Sequence, residues 1–320
     1  MSGRDWARAN LFRGGVAEAA GPEEPAAWLG RLRLGPPQPL GALELWPLIH
    51  PQAVNQADLL APEAIAAGLL DVREKDGGTV QELTVASRAA QVVILLEGEI
   101  LLGAKQNRMV AHTVVIAPGA MVVVPVGCVE RGRWHWTTSH FAAAPCPAEP
   151  ALRRSAHASV AASRAASGRV ALDQRALWAE VDTTIRRAEV RSPTSDYYAV
   201  QQRQRAAADE AAARVTPVER QVGVMALREG ALVALELVGS AGTWRGVCRR
   251  VVRSLLPAGV MATGSPGPGA EHWLASLGRV CHSPHPALGL GRDVTLECDG
   301  LVGSGVWMDG RPAHFSVYGA

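Results

Sequence analysis

Two glutamates, a lysine, an amide pair and an arginine fall within one twelve-residue stretch, EGEILLGAKQNR at 97–108. Glu97 and Glu99 are two residues apart, a spacing that puts both on one face of a strand. Carboxylates beside an ammonium shift each other's pKa and could do acid–base work. A partly buried Lys105 could instead form a Schiff base with a carbonyl substrate. Arg108, with Arg133 further on, could grip a phosphate through paired N–H donors, and Gln106 and Asn107 could read a base edge or a ribose. Glu130 and Arg133 follow a run of valines and would return to the same end of a sheet. The expected site therefore has Glu97, Glu99, Lys105 and Glu130 as catalytic groups and Gln106, Asn107, Arg108 and Arg133 as ligand-binding groups. The competing reading is a hairpin tied by Glu97–Lys105 and Glu99–Arg108 ion pairs, with Asn107 in its turn.

Composition favours a special role for the ammonium. The chain has 32 Lys plus Arg, and only Lys75 and Lys105 are lysine; asparagine occurs only at 10, 55 and 107. Where arginine is the usual cation, a lysine beside an asparagine points to a requirement for the compact, titratable group. The formal net charge of +2 disfavours a general nucleic-acid binder. No apolar run reaches membrane-spanning length, and residues 1–15 lack the apolar core of a signal peptide. Five scattered cysteines without a CxxC pair disfavour a disulfide framework or a zinc ribbon, so a cytoplasmic location is expected.

The elements that must position these groups divide the chain. Residues 1–27 read as a loose extension and 28–320 as a single domain. GALELWPLIHP (41–51) alternates as a first strand, and APEAIAAGLLDV (61–72) reads as a short helix. Residues 79–126 read as a valine-rich meander with Pro-Gly punctuation. Helices are expected over PALRRSAHASVAASRAAS, LDQRALWAEVDTTIRR and DYYAVQQRQRAAADEAAARV, followed by a hairpin turning at Arg228-Glu229-Gly230. TWRGVCRRVVRSLL (243–256) has the clearest apolar stripe, with Thr243 as its N-cap and a solvated arginine face. Three strands close the chain, the last two joined by Asp309-Gly310, a two-residue hairpin signal. The fold class is α+β: a β-rich, meander or sandwich-like N-terminal half with helices and a C-terminal hairpin packed on it.

Other reactive residues carry weaker signals. Cys128 lies near Glu130 and His135, as a nucleophile would, but a cysteine after a valine strand is more often core. CHSPH (281–285) supplies three soft or borderline ligands with no second cluster to complete a tetrahedral site. His135 and His140 lack the downstream carboxylate of a metal-bearing barrel, so no metal is expected and no cofactor is identified.

The stretches LLEGEILLGAKQNRMV and VVIAPGAMVVVPVGCVERGRW resemble the ARG and rhodanese-phosphatase-superfamily-associated protein domain family, mostly bacterial proteins of poorly defined biochemistry. The matching residues are Glu97, Gly98, Glu99 and Gly103 to Arg108, then Pro118, Gly119, Pro125, Val126, Cys128 to Glu130 and Gly132 to Trp134. The resemblance extends from about residue 30 to the end. This chain departs from the family pattern at Ile100, Gly127 and Arg131, where the family has a glutamate, a serine and a glutamine. The family's association with ADP-ribosylglycohydrolases and rhodanese-like phosphatases implies, by analogy, binding or processing of an ADP-ribose, NAD-derived or other phosphorylated nucleotide. A non-catalytic adaptor that binds a ligand or a protein is the alternative. A small nucleotide-like partner is expected, without a membrane.

Overall fold

Asp309 and Gly310 both take positive φ, 52° and 75°, the pairing a tight two-residue turn demands. They join the last two strands of a nine-stranded antiparallel sheet, and chain from both ends of the sequence builds it. The computed structural model describes residues 24–75, 80–256, 267–296, 298 and 300–319. In chain order the elements are α1 (Pro25–Leu29), β1 (Arg33–Leu34), β2 (Gln38–Leu40), β3 (Leu43–Ile49), β4 (Leu59–Leu60), α2 (Ala61–Ala66), β5 (Leu70–Glu74), β6 (Glu82–Ser87), β7 (Val93–Leu95), β8 (Ile100–Gly103), β9 (Arg108–Val110), β10 (Val114–Ile116), β11 (Met121–Cys128) and β12 (Phe141–Ala143). There follow α3 (Pro150–Ser167), α4 (Gln174–Arg187), α5 (Tyr198–Arg214), β13 (Gln221–Arg228), β14 (Ala231–Leu237), α6 (Ala241–Ser254), α7 (Ala270–Ser276), β15 (Val280–Pro286), β16 (Arg292–Leu296), β17 (Leu301–Met308) and β18 (Arg311–Gly319). The fold is α+β.

The large sheet runs β1-β3-β13-β14-β18-β17-β16-β15, with β2 also paired to β3. The amphipathic stripe of α6 seals one face: Trp244, Val247, Val251, Val252 and Leu255 share a core with Leu43, Leu45, Val224, Ala226 and Ala234. Trp28 of α1 helps close the other face, stacked on His50 at 4.2 Å and packed with Met225, Leu235, Phe315 and Val317. Pro25–Ala27 therefore belong to a helix rather than to the expected extension, whose residues 1–23 lie outside those described.

The meander forms a second β unit. A six-stranded sheet, β12-β8-β9-β11-β6-β5, faces the three strands β10-β7-β4 across one apolar core. Val72, Leu83, Val85, Val124 and Val126 from the first meet Val93, Leu95, Val114 and Ile116 from the second. His140, ahead of β12, lies 2.8 Å from Asp71 on β5, so the two edges of the six-stranded sheet approach each other. Helices α3 and α4 cover its outer surface, placing Leu152, Ala156, Leu177 and Val181 over Ile100 and Met109.

Two local expectations change. Ser240 caps α6, accepting from the N–H groups of Gly242 and Thr243, because Thr243 instead bonds Asp58 through its hydroxyl at 2.8 Å. The arginine face of α6 is not simply solvated: Arg250 pairs with Glu99 at 2.5 Å and Arg253 with Asp209 at 2.6 Å. CHSPH lies in β15, which the sequence did not suggest.

Candidate functional site

The β8–β9 hairpin separates the groups that the sequence placed together. Ile100 pairs with Met109 and Leu101 with Arg108, so the turn holding Lys105 is at one end of the hairpin and Glu97 and Glu99 at the other. Four strand residues span about 13 Å, too far for a glutamate and Lys105 to share a proton. Neither of the expected local ion pairs forms: Glu97 pairs with Arg153, Glu99 with Arg250, and Arg108 with Glu74.

At the turn end, geometry explains nearly every residue of GAKQNR. Gly103 has φ 128°, and a Cβ there would come within 2.4 Å of the Thr138 hydroxyl. Ala104 follows at φ 45°. Asn107 Oδ1 accepts from Gly103 N–H at 3.0 Å, and its Nδ2 donates to Asp196 at 3.1 Å. Arg133 closes the turn: it donates to Ala104 O at 2.7 Å, Gly103 O at 3.2 Å, Asn107 Oδ1 at 3.2 Å, Thr137 Oγ1 at 3.1 Å and His135 O at 3.3 Å. Its Nε donates to Glu130 at 2.8 Å. Glu130 also accepts from Asn107 N–H and from the Thr194 hydroxyl. Arg108, 1% exposed, donates to Gln106 Oε1 and to Glu74, each at 3.1 Å. Gln106 donates to Arg131 O at 3.3 Å. The structure thus gathers Gln106, Asn107, Arg108, Glu130 and Arg133 into one buried network.

What this network holds is the irregular segment 131–140. Arg133 is anchored inside, while Trp134 and Trp136 on either side of His135 are 60% and 54% exposed. Lys105, half-buried at the tip of the hairpin, sets its Nζ 5.3 Å from the Trp136 ring centroid, a cation–π distance. Cys128 is buried, and burial pushes its thiol up to about 11, against the pull of Arg108.

At the other end lies a buried ionic network that the sequence did not reveal. Glu97 from the turn after β7, Arg153 and His157 from α3, Glu236 from β14, and His314, Ser316 and Tyr318 from β18 are all at most 5% exposed. Arg153 donates its Nε to Glu97 at 2.9 Å and approaches Glu236 at 2.5 Å, over the Tyr318 ring at 5.2 Å. Glu97 Oε1 also accepts from Ser316 at 2.9 Å and from Tyr318 at 2.7 Å. The Thr113 hydroxyl accepts from Glu97 N–H and lies 2.8 Å from His314 Nδ1, whose Nε2 is 3.0 Å from Glu236. Burial alone would raise Glu97, but Arg153 and then His157 outweigh it and hold the carboxyl well below the usual range; Arg153 and His314 hold Glu236 down in the same way. Glu99 differs: burial dominates over Arg250, and its pKa is raised. Further along α3, Arg164 pairs with Asp293, which also meets His112 at 3.2 Å. The signal was present in the sequence, since Arg153, His157, Val160 and Arg164 recur along one helical face.

The family model of the ARG and Rhodanese-Phosphatase-superfamily-associated Protein domain matches residues 31–318. The chain belongs to this family. No curated protein and no solved structure matches it. At Gly127, where this chain departs from the family pattern, a Cβ would meet the ends of the Leu177 and Leu172 side chains. Among the described residues, no helix is long and apolar enough to cross a membrane, and no three His, Cys, Asp or Glu side chains are grouped to hold a metal ion.

Proposed function

We propose that the protein is a non-catalytic ligand-binding domain whose recognition surface is the segment 131–140 together with Lys105. The observation carrying this reading is how the turn divides its residues. Its buried charged groups bond to backbone carbonyls, amides and each other, while the exposed segment presents two indoles among smaller polar and cationic side chains, with the Lys105 ammonium beside one of them. Large aromatic surface held on a fixed backbone is what binding sites use, since little side-chain entropy is lost on association. Acid–base processing of a nucleotide by Glu97, Glu99, Lys105 and Glu130 draws less support, because the first two lie at the far end of the hairpin. Arg133 is equally ill-placed as a phosphate grip, with its donors already engaged. A small nucleotide-like molecule, which the family resemblance suggests, remains compatible with the projecting groups.

A thermal-shift screen across nucleotides, sugar phosphates, sugars and peptides, run in parallel on a Trp134→Ala/Trp136→Ala variant, tests the reading. It predicts stabilising compounds that bind without turnover and lose their effect in the variant. Hits that survive both substitutions, or any that are consumed, would refute it.

A further inference from the structure

Resting on that reading, we infer that Trp134, Trp136 and Lys105 form a site for a free nucleotide, its base stacked on an indole and its phosphate on the Lys105 ammonium. Three observations point to this ligand chemistry. The exposed indoles are close in sequence, on a backbone pinned by Arg133 at Ala104 O, His135 O and Thr137 Oγ1. Every base has a π face, so such a platform accepts planar aromatic ligands. The one ammonium of the motif is already beside an indole, its Nζ 5.3 Å from the Trp136 centroid, so a group stacked there meets a positive charge. No Asp or Glu occurs between Glu130 and Glu149, so the segment itself offers no carboxylate to repel an anion.

The same surroundings argue against a nucleic-acid strand. A strand's backbone needs a track of cations. Here Arg133 is buried in the turn, and Arg131 is paired with Asp182 at 3.2 Å and lies over Trp178. Among the described lysines and arginines of the turn and the segment, that leaves Lys105 outside an ion pair, enough for a single phosphate.

The test is calorimetric titration of the full chain with AMP, adenosine, ribose 5-phosphate and a ten-residue oligoadenylate. Wild type is compared with Trp134→Ala, Trp136→Ala and Lys105→Gln, each first confirmed folded by its circular dichroism and melting curve. The expected result is that AMP binds more tightly than adenosine or ribose 5-phosphate. Removing the stacking indole should weaken AMP roughly five- to 100-fold, and Lys105→Gln should weaken AMP about tenfold or more, a larger loss than it causes for adenosine. Adenosine binding as tightly as AMP, or a Lys105→Gln variant that holds AMP as well as wild type, overturns the phosphate contact and with it the ligand class. Binding of the oligonucleotide alone overturns it in favour of a strand. Failure of all four probes also overturns the ligand class. If other compounds in the thermal screen still lose their effect in the double tryptophan variant, the recognition surface stands and only its assignment to nucleotides falls.

Discussion

Replacing Arg153 with methionine removes the guanidinium that bridges two buried carboxylates. Arg153 is 1% exposed and meets both Glu97 and Glu236. Breaking a buried pair by deleting one partner costs about 3–5 kcal/mol, because the remaining charge has neither water nor counter-ion. Here two carboxylates are stranded; Ser316, Tyr318 and His314 still donate to them, which keeps the loss within about that range. Unfolding entropy is about 2.1 cal/mol/K per residue, on the order of 0.6–0.7 kcal/mol/K for a chain of this size, so the variant should melt roughly 4–8 °C lower at neutral pH. The two proteins should also respond oppositely to acid. In the wild type Glu97 and Glu236 have folded pKa values below their unfolded ones. Their stabilisation is therefore complete above the ordinary glutamate range and is lost as pH falls below about 4.5 through the folded values. In Arg153→Met, burial is no longer outweighed, the folded pKa values rise, and mild acid should restore stability. Urea melts between pH 3.5 and 7.5 read both effects. A loss under about 1 kcal/mol at pH 7, or a variant that weakens in acid as the wild type does, would refute the assignment of Arg153 as the network's counter-ion.

Other consequences are simpler to test. Ser240→Ala should cost about 1 kcal/mol in urea melts, since two N–H groups at the start of α6 lose their acceptor. Gly223→Ala should be far more damaging than Gly127→Ala: the new Cβ would lie 2.1 Å from the Glu236 carbonyl oxygen, whereas at Gly127 it meets the ends of two leucine side chains that can swing. Thiol labelling of the folded protein at pH 7.5 should reach Cys281 and Cys298 before Cys128, Cys146 or Cys248. Those three are buried, and burial raises their thiols to about 11, 12 and 11.

What the sequence revealed was local. The Asp309-Gly310 turn, the hairpin at Glu229-Gly230 and the stripe of α6 are set by neighbours a few residues away, and each formed as expected. GAKQNR stood out because its residue types are rare in this chain, and it does build a defined structure. Its partners were not legible, because they are set by tertiary packing. Glu97 meets Arg153 from 56 residues away and Tyr318 from 221, and Glu99 meets Arg250 from 151. An ionic pair proposed within a hairpin loses to these distant arginines when the hairpin's far end is buried between layers, where only a fully desolvated partner can neutralise it. Trp134 and Trp136 carried no signal of their own in the sequence; the path of the segment 131–140 is what exposes them.

The central claim is that the turn's charged residues act as a clamp that presents the indoles. Hydrogen exchange in wild type and Arg133→Lys tests it most directly, because a lysine cannot reproduce the guanidinium's simultaneous bonds to Gly103 O, Ala104 O, Asn107 and Thr137. The account predicts that the amides of Asn107 and Thr137, which bond to Glu130 and to Ala104 O, exchange about ten- to 100-fold faster in the variant, as the loss of charge-assisted bonds requires. It also predicts unchanged exchange in the distant strands of the large sheet. Equal protection of both amides in the two proteins would contradict it.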